Sequence, residues 1–254
     1  MQKNDLLHIK ATTESTSTDA KLLALDGAPG GTVVIADCQT GGRGRFGRSF
    51  YSPPGVGLYL SMILRPELGL SELIPLTALA ALSVCDAIER TCGFIPSIKW
   101  VNDIVYQGRK LCGILTELST ATEHGGGQCA VVGVGVNVNQ LPEDFPEELR
   151  DRAISLREVC GREIERKALA ANLIAALSGL SEILSVRDKS WLELYRSRCV
   201  TIDQQVKIEQ NGNVRHGRAL GVDENAALIV RFEDGATETV SSGEASVRGM
   251  SGYI

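Results

Sequence analysis

The stretch Cys38-Gln39-Thr40-Gly41-Gly42-Arg43-Gly44-Arg45-Phe46-Gly47-Arg48 follows an apolar run, Thr32 to Ala36, that predicts a buried strand. Its glycines let backbone N–H groups approach a ligand, and its arginines offer forked donors to carboxylates and phosphates. The glycines also fit the dinucleotide pattern G-x-G-x-x-G, but the next residues, Ser49 to Gly55, include two prolines and break a helix. Because a dinucleotide site needs a helix there, the loop indicates another kind of anion-binding element. A solvated surface loop is the alternative that its composition leaves open.

The basic loop lies in an acidic chain. The 254 residues carry a formal net charge of −5, which is unfavourable for a nucleic-acid-binding surface over the whole molecule. No apolar run approaches the roughly 20 residues that span a bilayer, and the N-terminus lacks the apolar core of a signal peptide. The seven cysteines are scattered without a C-x-x-C pair, and the three histidines are far apart. We therefore expect a cytoplasmic protein with reduced thiols, no membrane segment and no protein-built metal site.

Polar residues interrupt the strand that the pattern predicts from Ile98 to Tyr106. Lys99, Asn102 and Asp103 stand among apolar neighbours in this segment. An unpaired buried polar group costs about 1–3 kcal/mol, so these three side chains are either paired or functional.

A hairpin is predicted directly after this strand. Lys110 lies at its turn, and Leu111 to Leu118 forms the returning strand with Gly113 inside it. A glycine within a strand often marks the close approach of a ligand or of another backbone. The run from Ala130 to Asn139 predicts a further, fully buried strand that also contains glycines.

Hydroxyl residues precede the first predicted helix. The cluster from Thr12 to Asp19 stands just before the apolar segment Ala20 to Leu25, as a helix N-cap does. The same hydroxyls could instead hold a small polar ligand group beside the helix N-terminus. Two longer helices are predicted, Ser71 to Thr91 and Arg166 to Leu184.

The composition changes near Val200. From there to the end, short β patterns alternate with Asn-Gly and Asp-Gly turns, which is typical of a small β-barrel. We therefore predict two domains, residues 1–200 and residues 201–254.

Taken together, five segments in order resemble the biotin protein ligases. These segments are S-T-D (17–19), Q-T-G-G-R-G-R-F-G-R (39–48), K-W-V-N-D (99–103), G-R-K-L-C-G-I-L-T-E (108–117) and G-V-G-V-N-V (133–138). The C-terminal residues 242–248 are similar to the end of the SH3-like barrel of the same family. The resemblance implies an α+β fold: a mixed β-sheet with packed helices, as in class II synthetases and biotin–lipoate ligases, plus a small C-terminal SH3-like β-barrel. It also implies the monofunctional type, without an N-terminal DNA-binding domain.

The resemblance assigns roles to individual residues. The catalytic residues it implies are Lys110, Arg43 and Arg45. The biotin-binding residues it implies are Ser17, Thr18, Asp19, Gln39, Gly42, Arg43, Gly44, Arg45, Lys110 and Gly113. The nucleotide-binding residues it implies are Arg45, Arg48, Phe50, Lys99, Asn102, Asp103, Asn137 and Arg248.

Two positions depart from the family pattern. Asp19 stands where the family usually has Asn, and Val101 replaces the proline of K-W-P-N-D. An alternative register of the hydroxyl motif uses Ser15-Thr16-Ser17 in place of residues 17–19. Neither departure removes a charged catalytic group, so they bear on the details of ligand binding more than on the reaction.

The implied reaction joins biotin to ATP and then to a protein. Biotinyl-5′-AMP forms first, and a lysine of a biotin carboxyl carrier protein or domain then accepts the biotin. Mg²⁺ would accompany the ATP phosphates. The resemblance implies no DNA or membrane partner and is compatible with a homodimer. The alternatives are a lipoate or octanoate ligase of the same fold, a non-catalytic biotin-sensing protein, and an interaction module built on the C-terminal barrel.

Overall fold

A seven-stranded sheet is the frame of the larger part of the molecule. The computed structural model describes residues 6–119, 128–185, 189–210, 212–241 and 246–249. The strands of this sheet are β1 (Leu7–Thr13), β2 (Val33–Gln39), β3 (Gly57–Leu64), β4 (Ser97–Lys99), β5 (Asp103–Tyr106), β6 (Arg109–Ser119) and β7 (Cys129–Asn137). Their order is β1-β2-β3-β7-β6-β5-β4, in which only the β1–β2 pair is parallel. The predicted mixed sheet is confirmed.

Helices cover both faces of the sheet. They are α1 (Thr16–Leu25), α2 (Leu76–Cys92), α3 (Glu147–Arg150), α4 (Leu156–Cys160), α5 (Arg166–Ser178), α6 (Leu180–Ser185) and α7 (Ser190–Arg198). Helix α1 packs on one face against Val34, Ile63 and Val131. Helices α2 and α5 pack on the other, and every residue of β3 is buried between the two layers. This double coverage explains why β3 appears in the sequence as a continuous apolar run.

Two sequence predictions of regular structure are corrected. Helix α2 begins at Leu76, directly after Pro75, and not at Ser71. The segment 98–106 is not one strand, because Lys99 of β4 pairs with Asp103 of β5 across a tight turn. The polar residues that interrupt its apolar pattern lie at or beside this turn, and Lys99 is buried there.

The C-terminal residues form a second sheet. Its strands are β8 (Gln205–Gln210), β9 (Asn213–Val222), β10 (Leu228–Phe232), β11 (Thr237–Val240) and β12 (Ser246–Gly249). The order is β11-β10-β9-β8-β12, with antiparallel pairing throughout. No ladder joins β11 to β12 within the described residues, so they form an open five-stranded sheet and not the closed barrel that the sequence suggested. Of the similarity segment 242–248, residues 242–245 lie outside the described residues.

Trp100 joins the second sheet to the first. Its indole Nε1 donates to the carbonyl of Ala226 at 2.7 Å, and its backbone N–H donates to Thr201 Oγ1 at 2.9 Å. Trp100 is 3% exposed and Ala226 is 2% exposed, so both bonds lie in the protein interior. The C-terminal sheet is therefore fastened to the β4–β5 turn.

One helical segment meets the length and hydropathy of a membrane span. It covers 20 residues, Arg166–Ser185, with a mean hydropathy of 1.5, although the sequence analysis found no apolar run of that length. A turn at Gly179 divides it into α5 and α6. Leu169, Leu173 and Leu177 are buried in the same cluster as α2, as the side chains of a core helix are.

Candidate active site

One cavity brings most of the predicted site residues together. It has a volume of about 790 Å³ and is bounded by the Gly/Arg loop, the first turn of α1, the β4–β5 turn and the glycines of β6 and β7. Thirteen predicted residues line it: Ser17, Gln39, Arg43, Gly44, Arg45, Arg48, Phe50, Lys99, Asn102, Asp103, Lys110, Gly113 and Asn137. Thr18, Asp19 and Gly42 are not in its lining, and the side chain of Arg248 lies outside what the structure describes.

Neutral hydroxyl and amide groups form one end of the cavity. The Oε1 atom of Gln39 accepts from Thr16 N at 2.9 Å and from Thr16 Oγ1 at 3.1 Å. The hydroxyl of Ser61 lies 2.8 Å from Thr16 Oγ1 and 3.1 Å from Ser17 Oγ. These buried polar groups satisfy one another, so the cavity presents an ordered set of neutral donors and acceptors.

The hydroxyl motif lies in the alternative register. Ser15, Thr16 and Ser17 line the cavity, whereas Thr18 and Asp19 do not. Asp19 instead accepts from Thr13 Oγ1 at 2.6 Å and pairs with Lys10 at 2.9 Å. Helix α1 begins at Thr16, and the turn of about 100° per residue carries the side chains of Thr18 and Asp19 away from the cavity.

The expected N-cap differs as well. Ser15 occupies the N-cap position of α1, yet its side chain makes no capping hydrogen bond. It is buried at 2% exposure and lines the cavity. Its position therefore supports the ligand-binding interpretation of the hydroxyl cluster more than the capping one.

Two glycines on β7 leave room for side chains of the cavity wall. A methyl group at Gly133 would lie 2.3 Å from Ser17 Oγ, and one at Gly135 would lie 2.6 Å from Cε1 of Phe50. The sequence marked the glycines of this strand without assigning them to the site. Gly42 lies behind the cavity wall, where its carbonyl accepts from Phe50 N at 2.9 Å.

Basic side chains dominate the other end. Six of them line the cavity: Arg43, Arg45, Arg48, Lys99, Lys110 and Arg152. The acidic side chains in the lining are Asp103 and Asp151. Lys110 Nζ donates to Asp103 Oδ1 at 2.6 Å, and Arg45 Nη1 donates to Asn102 Oδ1 at 3.0 Å. Burial lowers the pKa of Arg45, and the nearby Asp103 carboxylate opposes this shift.

The segment that follows β7 holds Lys110 through its backbone. The backbone N–H of Lys110 donates to Arg152 O at 2.7 Å, and its carbonyl accepts from Ile154 N at 2.9 Å. Asn137 Nδ2 reinforces this pairing by donating to the carbonyls of Lys110 at 3.1 Å and Ile154 at 3.3 Å. Phe145, Leu149 and Ala153 of the same segment line the cavity. Apolar loop residues carry no chemical motif, so only the tertiary structure could place them here.

Phe50 and Arg248 are two further residues that were predicted to bind the nucleotide. Phe50 lies edge-on to Tyr59, with a centroid separation of 6.4 Å, and Lys110 Nζ lies 5.9 Å from its ring centroid. The ring therefore lies in the cavity wall, next to the predicted reacting groups. For Arg248, the backbone pairs with Lys207, and its side chain lies outside what the structure describes.

The cavity contains few metal ligands. Across the part of the chain that the structure describes, no group of three or more His, Cys, Asp or Glu side chains could hold a metal ion. A divalent cation bound mainly by phosphate oxygens and water, with one carboxylate such as Asp103 or Asp151, fits this donor set, since Mg²⁺ is commonly bound in that way.

The fold and the cavity are those of a class of protein ligases. The chain belongs to the biotin/lipoate A/B protein ligase family, whose model matches residues 9–137. Residues 201–248 match the biotin protein ligase C terminal domain.

Similar proteins agree with this assignment. The chain is 35% identical to the bifunctional ligase/repressor BirA of Bacillus subtilis over 90% of this chain and 70% of that protein. It is 31% identical to the biotin--[acetyl-CoA-carboxylase] ligase of Mycobacterium tuberculosis over 94% of this chain and 87% of that protein. The solved biotin protein ligase from Aquifex aeolicus, in complex with biotin and ATP, superposes with a TM-score of 0.80 at 31% identity. That superposition covers 96% of this chain and 98% of the other.

Proposed function

We propose that this protein is a biotin protein ligase that forms biotinyl-5′-AMP from biotin and ATP. It then transfers biotin to a lysine of a biotin carboxyl carrier protein or domain. The family match, the named relatives and the complex of a similar ligase with biotin and ATP support biotin over lipoate or octanoate, and an enzyme over a biotin-sensing protein.

One observation carries the proposal: the distribution of charge in the cavity. Among the described residues, six basic and two acidic side chains line it, although the whole chain has a net charge of −5. Its opposite end consists of neutral hydroxyl and amide groups around Thr16, Gln39 and Ser61. Biotin has an uncharged cyclic urea at one end, which suits the neutral end of the cavity. Its carboxylate must approach the triphosphate of ATP, and this meeting of two anions suits the basic end.

The first step brings two anions together. The biotin carboxylate attacks the α-phosphate of ATP, the bond to the β-phosphate oxygen breaks, and pyrophosphate leaves. We assign Lys110 and Arg45 to the developing charge on the α-phosphate, and Arg43 to the carboxylate. The Lys110–Asp103 pair, at 2.6 Å, holds the ammonium at the cavity wall before substrates arrive. Mg²⁺, when bound with ATP, supplies further charge neutralisation on the phosphates.

The other predicted residues complete the site. For the biotin head we assign Ser17, Gln39, Gly44 and Gly113, and the alternative register adds Ser15 and Thr16. For the nucleotide we assign Arg48, Phe50, Lys99, Asn102, Asp103, Asn137 and Arg248.

In the second step the neutral amine of the acceptor lysine attacks the acyl carbon of the adenylate. An amide forms and AMP leaves. We place the catalytic unit in residues 1–200 and the C-terminal unit in residues 201–254. A cytoplasmic location, the absence of a DNA partner and a homodimer stay predictions from the sequence.

The test is mass spectrometry of the purified protein after incubation with biotin, ATP and Mg²⁺, with lipoate and octanoate in parallel. We expect biotinyl-5′-AMP with biotin alone, and roughly 100-fold less initial product from Lys110→Ala, because one charged donor to the transition state is lost. An adenylate formed from lipoate or octanoate and not from biotin would reassign the substrate. No adenylate from any of the three acids would contradict the ligase function.

A further inference from the structure

The tip of the Gly/Arg loop is a small hairpin with a strained residue. Arg43 and Ser49 form an antiparallel bridge, and Gly44 N donates to Arg48 O at 2.7 Å. At its turn, Phe46 has φ 56° and ψ 36°, and Gly47 has φ 72°. Two consecutive positive φ values define a type I′ turn, for which Asn-Gly is the preferred sequence.

Phe46 is an unfavourable residue at this position. Bulky side chains rarely adopt the left-handed region, and such strain persists only where surrounding interactions hold it. Burial does not provide the compensation, since the side chain of Phe46 is 55% exposed. A specific contact does exist: the Arg45 guanidinium carbon lies 4.8 Å from the centroid of the Phe46 ring, within the range of a cation–π interaction.

This contact lies next to the reacting end of the cavity. Arg45 also donates to Asn102 Oδ1 at 3.0 Å, and Asn102 Nδ2 donates to Ile114 O of β6 at 2.9 Å. The guanidinium therefore connects the loop tip to the central sheet across the cavity. Phe46 covers one side of that connection and itself lines the cavity.

We propose that Phe46 is a positioning residue, whose ring holds Arg45 against Asn102 so that the closed loop retains the acyl-adenylate. The proposal rests on the proposed function. The strained backbone directs the Phe46 ring at the Arg45 guanidinium. Asparagine would fit the turn without strain, but it has no ring that could cover the guanidinium.

The decisive variant is Phe46→Asn, which keeps the preferred turn sequence and removes the ring. Phe46→Trp keeps an aromatic face. The matched control is Gln107→Asn, because Gln107 (φ 47°) and Gly108 (φ 77°) form a second X-Gly turn with positive φ values. Gln107 is exposed and does not line the cavity.

The first readout is the rate at which biotinyl-5′-AMP, once formed on the enzyme, escapes from it. Rapid gel filtration and mass spectrometry measure this rate. A cation–π contact at an exposed site corresponds to an effect of about two- to fivefold. We expect escape to be faster by that factor in Phe46→Asn and unchanged within error in Gln107→Asn. Phe46→Trp should restore the slow rate. Equal retention by Phe46→Asn and the unmodified protein would overturn the proposal.

The second readout needs no substrate, which separates this proposal from the proposed function. Trypsin cleaves after Arg45 only when the Arg45 side chain leaves Asn102 and binds in the specificity pocket of the protease. We expect Phe46→Asn to be cleaved there several times faster than the unmodified protein, and Gln107→Asn not to be. If no adenylate forms in any variant, the ligase function fails while this cleavage still decides whether Phe46 holds Arg45. Unchanged cleavage would overturn the positioning role.

Discussion

Replacing Gly133 with alanine tests whether the hydroxyl end of the cavity binds the neutral head of the substrate. The added methyl group would lie 2.3 Å from Ser17 Oγ, far inside contact distance. Its next neighbours, Leu115 O and Ser61 Oγ, would be 3.4 Å away, which is ordinary contact. Ser17 is therefore the group that must move.

The magnitude follows from the bonds that Ser17 makes. Turning its hydroxyl away breaks the 3.1 Å contact with Ser61 Oγ and removes one group that faces the ligand. The bond to Ser61 lies within the protein, so its loss lowers stability, whereas the lost ligand contact weakens binding. One neutral hydrogen bond contributes about 1 kcal/mol, which corresponds to biotin binding that is weaker by roughly fivefold.

The assay is titration calorimetry of biotin binding, supported by the KM for biotin in adenylate formation. Gly221→Ala is the matched control: it is the same change in a strand, at a position with no atom within 4 Å of the added methyl. Ser17→Ala should weaken binding about as much as Gly133→Ala, because it loses the same contact with the ligand. The double variant should be no worse than either single one, because both act through one hydroxyl.

Additive effects of Gly133→Ala and Ser17→Ala on biotin binding would contradict this explanation. Independent effects would weaken binding in the double variant by roughly 30-fold, and that outcome would mean that the methyl group acts elsewhere than at Ser17. Unchanged biotin affinity in Gly133→Ala would contradict the placement of the ligand head at this end. Thermal denaturation of each variant separates lost binding from lost folding.

Three further outcomes are expected. Thr16→Ala should raise the biotin Kd about tenfold, since its hydroxyl bonds to two cavity groups, while Thr18→Ala should change it less than twofold; calorimetry that reverses this order would restore the other register. Trp100→Phe should lower the free energy of unfolding by about 2 kcal/mol in urea denaturation, because the buried Ala226 carbonyl loses its donor; an unchanged midpoint and slope would contradict this. Burial raises the pKa of the Cys85 thiol from 9.0 to about 12. The stabilisation of the folded protein by the neutral, buried thiol is therefore complete below pH 9 and is lost as the pH rises towards 12. Between pH 9 and 10.5, under reducing conditions, that loss is about 2 kcal/mol, and Cys85→Ala should show a shallower decline; equal slopes would contradict the assignment.

The sequence predicted the chemistry of the site better than its geometry. Lys110, Arg45 and Asn102 line one cavity as expected, because Gly, Arg and Lys in such an arrangement have few other uses. The hydroxyl motif was predicted at residues 17–19, with 15–17 as the alternative register; Ser15, Thr16 and Ser17 line the cavity, and Thr18 and Asp19 do not. Its composition satisfies both registers, and only the start of α1 at Thr16 selects between them.

Other differences have the same origin. The segment 98–106 has the composition of a strand, yet its middle forms a turn because Lys99 pairs with Asp103. The C-terminal strands were recognised from their turns, whereas their arrangement as an open sheet depends on pairings between residues far apart in sequence. Local patterns carry no information about such partners.

The sequence by itself determined the mixed α+β class, the anion-binding loop and the kind of reaction, because these depend on residue types and their order. The tertiary structure alone decided which hydroxyls face the cavity, that Gly133 makes room for one of them, and that residues 151–154 hold Lys110. It also decided that Phe46 is strained against Arg45. Each of these depends on the distance between atoms of different segments, which the folded backbone sets and the local sequence does not.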